Sequence, residues 1–200
     1  MSESLTQNFN HLKIHSQYSI CEGAVKIDDL QDFSKANKLK SLGLCDTSNL
    51  CGALEFAEKI SKVGTQPIIG TQINFKYGDC IGLLPLFALN EEGYKRIIKL
   101  SSISFLENDE LSDPHVDFKD LLDDNTGVAV FSGTIFGLFG ELYNKGKFSD
   151  VLDLYKKLKL NFGDRFYIEI QRHNDQNESG FEKFNLNKSL ELEIPIIATN

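Results

Sequence analysis

Short apolar runs of strand length alternate with amphipathic stretches of helix length along this chain, and that alternation constrains the fold more than any single residue does. Residues 40–46 (KSLGLCD), 67–75 (PIIGTQINF), 81–89, 128–132, 165–171 and 195–199 (PIIAT) read as strands, the last of them buried. Pro85 suggests that its strand lies at an edge or carries a bulge. The spacing predicts a helix over 28–39, with Asp28 as N-cap and Leu30, Phe33 and Ala36 on its inner face. Asn49 is placed to cap a second helix, whose inner face is Leu50, Ala53, Leu54, Ala57 and Ile60. Asn90, Glu91 and Glu92 open a third with acids in the first turn, and Tyr94, Ile97 and Ile98 face inward. A charged loop over 107–114, a short helix over 118–122 and helices over 136–143, 151–162 and 178–190 complete the series. The result is an α/β fold with a largely parallel sheet or barrel.

The sequence stops at Asn200, at the end of an apolar strand. A parallel strand buried on both faces needs neighbours on both sides, so these residues are expected to be a piece of a longer protein. With 200 residues, 41% hydrophobic and 25% charged, they suffice for one globular domain with a real core. The formal net charge is −8, and no run of Lys and Arg offers a phosphate-tracking face. The four cysteines, Cys21, Cys45, Cys51 and Cys80, form no Cys-x-x-Cys pair. Cys45 lies in an apolar run and is expected as a buried thiol, which suits a reducing cytoplasm. The polar N-terminus MSESLTQN is no signal peptide, and no apolar run approaches membrane-spanning length.

Function in α/β folds gathers at the C-terminal ends of strands. The densest chemistry lies over 9–23, FNHLKIHSQYSICEG, where His11, Lys13 and His15 alternate with Leu12 and Ile14. As a strand, this puts three nitrogen-bearing side chains on one face and runs into the polar rim of Ser16, Tyr18, Ser19, Glu22 and Gly23. A solvated edge strand with incidental histidines fits the stretch equally well. The other strand ends add Asp46, Thr47, Ser48 and Asn49; Thr71 and Gln72; Ser132, Gly133 and Thr134; Gln171, Arg172 and His173; and Thr199 and Asn200. This rim is poor in anionic and imidazole ligands, and a protonated Lys13 would repel metal ions. No Ser-His-Asp arrangement, P-loop or GxGxxG is present. Arg172 and His173 are expected to pair with neighbouring carboxylates.

The phrases HLKIHSQYSICEG, GLCDTSNLCGALEF, QPIIGTQINF, ALNEEGYKRIIKLSS, FSGTIFG, FYIEIQRH and IPIIATN follow in this order over nearly the whole chain. Together they resemble the N-terminal PHP (polymerase and histidinol phosphatase) domain of bacterial DNA polymerase III alpha subunits. The resemblance implies a distorted seven-stranded β/α barrel over residues 1–200, truncated before its last elements, with palm, thumb and fingers following. Metal-binding relatives carry His-x-His where Lys13 and His15 stand, and the acid that follows is matched by Glu22. The Thr-Asp-His phrase appears as Cys45, Asp46 and Thr47, so the ligand His is replaced by Thr47. Gln72 replaces an acid, Leu83 a later His and Thr134 a Cys or His, and the final Asp-x-His would begin past Asn200. His15 and Glu22 thus remain as ligand types in a rim of His11, Lys13, His15, Glu22, Asp46, Thr47, Gln72 and Thr134.

The implied role is a structural and partner-docking module of a DNA-directed DNA polymerase. It would carry no catalytic residue or metal of its own, with magnesium serving an active site outside this chain. Its implied partners are a separate proofreading exonuclease subunit and other replicase subunits, with DNA held by the rest of the parent chain. The alternative is an active metal-dependent phosphoesterase or 3′–5′ exonuclease. In place of a metal, the Lys13 ammonium is expected to pair with Asp46 or Glu22 as a built-in cation.

Overall fold

A computed structural model describes residues 9–108 and 112–199 of the chain. Two compact units emerge among the described residues, one running up to Thr71 and the other from Gln72 to Thr199. The first holds α1 (Ile27–Asn37), β1 (Ser41–Thr47), α2 (Ala53–Lys62) and the opening half of β2 (Gln66–Tyr77), which pairs with β1. Its core gathers Ile27, Leu30, Leu39, Leu42, Leu44, Phe56 and Ile60, with Ile14, Tyr18 and Ile69 packed against them. Side chains of this size contribute about 1.5–3 kcal/mol each when fully buried, so the cluster is the main support of β1.

Residues 11–14 run beside β1 without forming a regular ladder. Gly43 N–H donates to His11 O at 2.7 Å and Cys45 N–H to Ile14 O at 2.8 Å. One step of two residues on β1 is therefore matched by a step of three on the partner, as at a β-bulge. The alternation breaks there, and the regular strand on which His11, Lys13 and His15 would share a face does not form. His11 instead packs edge-on against Phe9 and Phe33, at 5.0 and 5.8 Å between ring centres. Only glycine fits at 43, because a Cβ there would stand 2.2 Å from Leu12 O.

Local chemistry moves the helix starts from the expected ones. The N-cap of α1 is Lys26, whose N–H donates to the Asp29 carboxylate at 3.3 Å, and Asp28 falls inside the first turn. The cap of α2 is Gly52, while Asn49 forms a turn by accepting from Cys51 N–H at 3.0 Å. Phe33 and Leu54 are exposed; Ser34 and Phe56 take the inner positions.

The second unit continues β2 and adds β3 (Cys80–Ala88), α3 (Glu91–Leu106), β4 (Val116–Asp117), α4 (Phe118–Asp123), β5 (Val128–Phe131), α5 (Leu138–Asn144), α6 (Phe148–Phe162), β6 (Phe166–Ile170), α7 (Glu178–Leu192) and β7 (Ile196–Ala198). Its strand order is β2-β3-β5-β6-β7, with β4 on β2. Pairing is parallel for β2 with β4, β5 with β6 and β6 with β7, but antiparallel for β3 with β5. The two-residue link Gly78–Asp79 between paired β2 and β3 also requires an antiparallel hairpin. The sheet is mixed rather than largely parallel.

Pro85 is not on an edge strand, since β3 lies between β2 and β5. The ladder to β5 covers Leu86 to Ala88, so the missing N–H of Pro85 falls outside it. Conversely β7, expected as a buried strand, ends the strand order, and Ile196 is 42% exposed. The predicted cap of α3 forms, with the Asn90 side chain accepting from Gly93 N–H at 2.9 Å. Ile98, predicted inward, is exposed, and Arg96 takes an interior position by donating to Asp120 O. Cys45 and Cys80 are buried thiols. Among the described residues no helix is long and apolar enough to cross a membrane.

Candidate functional site

Asp46 ends the buried part of β1 and is 1% exposed. Facing it is a turn in which Ser19 N–H donates to Ser16 O at 2.9 Å and Gly23 N–H to Ser19 O at 2.9 Å. The turn closes so tightly that a Cβ on Gly23 would lie 2.0 Å from Ser16 O. One Asp46 oxygen accepts from Ser16 N–H at 2.6 Å and from the Ser19 hydroxyl at 2.7 Å. The other accepts from the Ser16 hydroxyl at 2.8 Å. Ser19 Oγ in turn accepts from Thr47 N–H at 3.0 Å, and Asn49 donates to Tyr18 O and Thr47 O, each at 2.9 Å. A buried carboxylate needs such donors, and here hydroxyls and an amide supply them.

His15 lies beside this anchor with its Nδ1 buried and without a hydrogen-bond partner among the described residues. Burial, and then the Lys13 cation, hold its pKa below the ordinary histidine value of 6.5, against the opposing pull of Glu22 and Asp46. Its imidazole is therefore neutral at physiological pH. Thr47, in the place of a ligand histidine, donates its hydroxyl to the Glu22 carboxylate. Lys13 is buried, and the carboxylates expected to pair with it, Asp46 and Glu22, accept from serine and threonine hydroxyls.

In the second unit, Gln72 is buried on β2 and Thr134 half-buried in the turn after β5, where its Oγ1 accepts from Phe136 N–H at 3.3 Å. Arg172 forks onto Glu182 at 2.9 and 2.6 Å, as expected of a strand-end arginine. Glu178 accepts from His173 N–H at 2.7 Å and Asn174 N–H at 2.9 Å. Sequence reasoning missed Glu169, a buried acid on β6 that accepts from Thr199 Oγ1 at 2.5 Å. Its signal was a lone glutamate inside the apolar run FYIEI. Asn200 lies outside the described residues, so its expected place on the rim does too.

Metal ions require several anionic or imidazole donors converging on one point. Among the described residues no group of three or more His, Cys, Asp or Glu does so. His15 offers a neutral nitrogen, while Glu22 and Asp46 accept from hydroxyl donors.

A profile for the PHP domain matches residues 11–173. The DNA polymerase III subunit alpha of Rickettsia felis is 37% identical over 193 residues, covering 96% of this chain and 16% of that protein. That of Caulobacter vibrioides is 33% identical over 213 residues, 100% of this chain and 18% of that protein. That of Borreliella burgdorferi is 35% identical over 208 residues, 98% of this chain and 18% of that protein. The chain thus spans under a fifth of the length of these curated relatives. Among solved structures, a protein of Bifidobacterium adolescentis described as a metal-dependent phosphoesterase aligns with a TM-score of 0.61 at 11% identity, over 95% of this chain and 86% of that one. An amidohydrolase from Chromobacterium violaceum aligns with a TM-score of 0.60 at 12% identity, over 96% and 86%. The expected α/β fold class of the PHP type is the one shared with these two structures.

Proposed function

The chain belongs to the PHP domain family, and on that premise we propose that it is the N-terminal module of a replicative DNA polymerase III alpha subunit. Its role is structural and partner-docking, in the cytoplasm, with a degenerate metal site. The parent protein is a DNA-directed DNA polymerase that uses magnesium at an active site outside this chain. This module alone is inactive. Its partners are the proofreading exonuclease subunit and other replicase subunits, and DNA is held by the rest of the parent chain.

The observation that carries this reading is the Thr47 hydroxyl on Glu22. A threonine cannot replace an imidazole as a metal ligand, yet its hydroxyl satisfies the carboxylate that relatives turn toward a cation. Lys13, Gln72 and Thr134 alter three further ligand places in the same direction. The second reading, an active metal-dependent phosphoesterase or 3′–5′ exonuclease, is favoured by one feature, the neutral His15 imidazole with its buried, unpartnered Nδ1. The test is primer extension by the full-length protein with magnesium, alongside co-purification of a proofreading exonuclease. Extension that requires the downstream polymerase region, with the exonuclease retained only when this module is present, supports the proposal. A full-length protein that extends no primer overturns it.

A further inference from the structure

We infer that a groove on the second unit, where β2, α4 and α6 bring three lysines together, takes an acidic segment of a protein partner. The groove has a volume of 320 Å³ and is lined by Lys76, Tyr77, Phe118, Lys119, Leu122 and Lys157. These lysines come from three separate elements, so no cluster in the sequence marks the site. The chain as a whole is acidic, with a net charge of −8. Among the lining residues the lysines outnumber the one carboxylate, Asp117, which stands 3.3 Å from Lys119, and Asp120 and Asp123 on α4 act on Lys119 from outside the lining. The floor is apolar: Tyr77 and Phe118 meet edge to face at 6.1 Å, with Leu122 beside them.

An ammonium rim over an apolar floor matches carboxylates flanking an apolar side chain. Screening over about 8 Å at physiological salt lets a short segment meet the lysine rim directly rather than the negative charge of the whole chain. A nucleic-acid strand suits the groove less well. A phosphate backbone would run on past three lysines onto an acidic surface. This chemistry holds whichever longer protein the chain serves.

The test is fluorescence anisotropy with the full chain and a labelled peptide of Asp and Glu around one central phenylalanine. A phenylalanine-to-serine peptide and a thymidine oligonucleotide serve as comparison probes. The proposal expects saturable binding of the first peptide that weakens at least about tenfold, or about 1.4 kcal/mol, in Lys76→Glu/Lys119→Glu/Lys157→Glu. A Lys→Gln triple variant, which removes charge without reversing it, should weaken binding by a smaller factor at unchanged circular dichroism. Equal binding by parent and folded variants overturns the site. Equal binding of the serine peptide overturns the role of the apolar floor, and tighter, lysine-dependent binding of the oligonucleotide overturns the ligand class.

Discussion

Replacing Asp46 with alanine should be among the most damaging single changes in the first unit. Its carboxylate is 1% exposed and accepts from Ser16 N–H, Ser16 Oγ and Ser19 Oγ at 2.6, 2.8 and 2.7 Å. Hydrogen bonds to a charged acceptor contribute about 1.5–3 kcal/mol each, and a buried donor left unpaired costs about 1–3 kcal/mol. The two hydroxyls can rotate toward other acceptors, but the Ser16 N–H is fixed by the turn. Counting the amide bond as wholly lost and the hydroxyl bonds as partly recovered gives a loss of about 3–4 kcal/mol. Asp46→Asn keeps the shape and one carbonyl acceptor and should cost about 1–2 kcal/mol. Urea denaturation of the parent and both variants, compared at equal slopes, reads these differences. An Asp46→Ala variant within about 1 kcal/mol of the parent would refute the reasoning, because the carboxylate would then not be holding the turn.

Three further outcomes follow from single contacts. Tyr155→Phe should lose about 1–3 kcal/mol in the same assay, since it strips the donor from the buried Asn185 Oδ1 at 2.9 Å. Gly43→Ala should destabilise by several kcal/mol, at or beyond the roughly 1–3 kcal/mol typical of overpacking, because the 2.2 Å approach involves Leu12 backbone that cannot swing aside. The depressed pKa of His15 sets a pH dependence: the folded state resists protonation, so stability is full above the unfolded value of 6.5 and falls as pH drops below it. His15→Gln should flatten the denaturation midpoint over that window, with Lys13, Glu22 and Asp46 as the charged neighbours; an unchanged profile would assign the dependence elsewhere.

What could be read from the sequence was whatever is settled within a few residues. Asn90, Glu91 and Glu92 announce α3 because capping and first-turn charge are local effects. The alternating strand and helix patterns gave the fold class for the same reason. Helix faces were less legible: Phe33, Leu54 and Ile98 are apolar yet exposed, while Ser34 is buried because its hydroxyl reaches Thr65 Oγ1 at 2.7 Å. The two-residue β4 is too short to leave a period. At the candidate site, Ser16, Ser19, Glu22 and Asp46 were recognisable as a rim. Their pairing was not, because it depends on a turn closing across 30 positions onto β1. The bulge between His11 and Ile14 likewise undoes an alternation that the residue types alone display.

The proposal that the ligand places here no longer support hydrolysis meets its most direct test in mismatch excision. The full-length protein, freed of any separate exonuclease, is incubated with a mismatch-terminated primer and added zinc or manganese. The account predicts no metal-dependent release of the terminal nucleotide, and no difference between the parent and a His15→Ala/Glu22→Ala variant. Metal-dependent excision that this variant abolishes would contradict it.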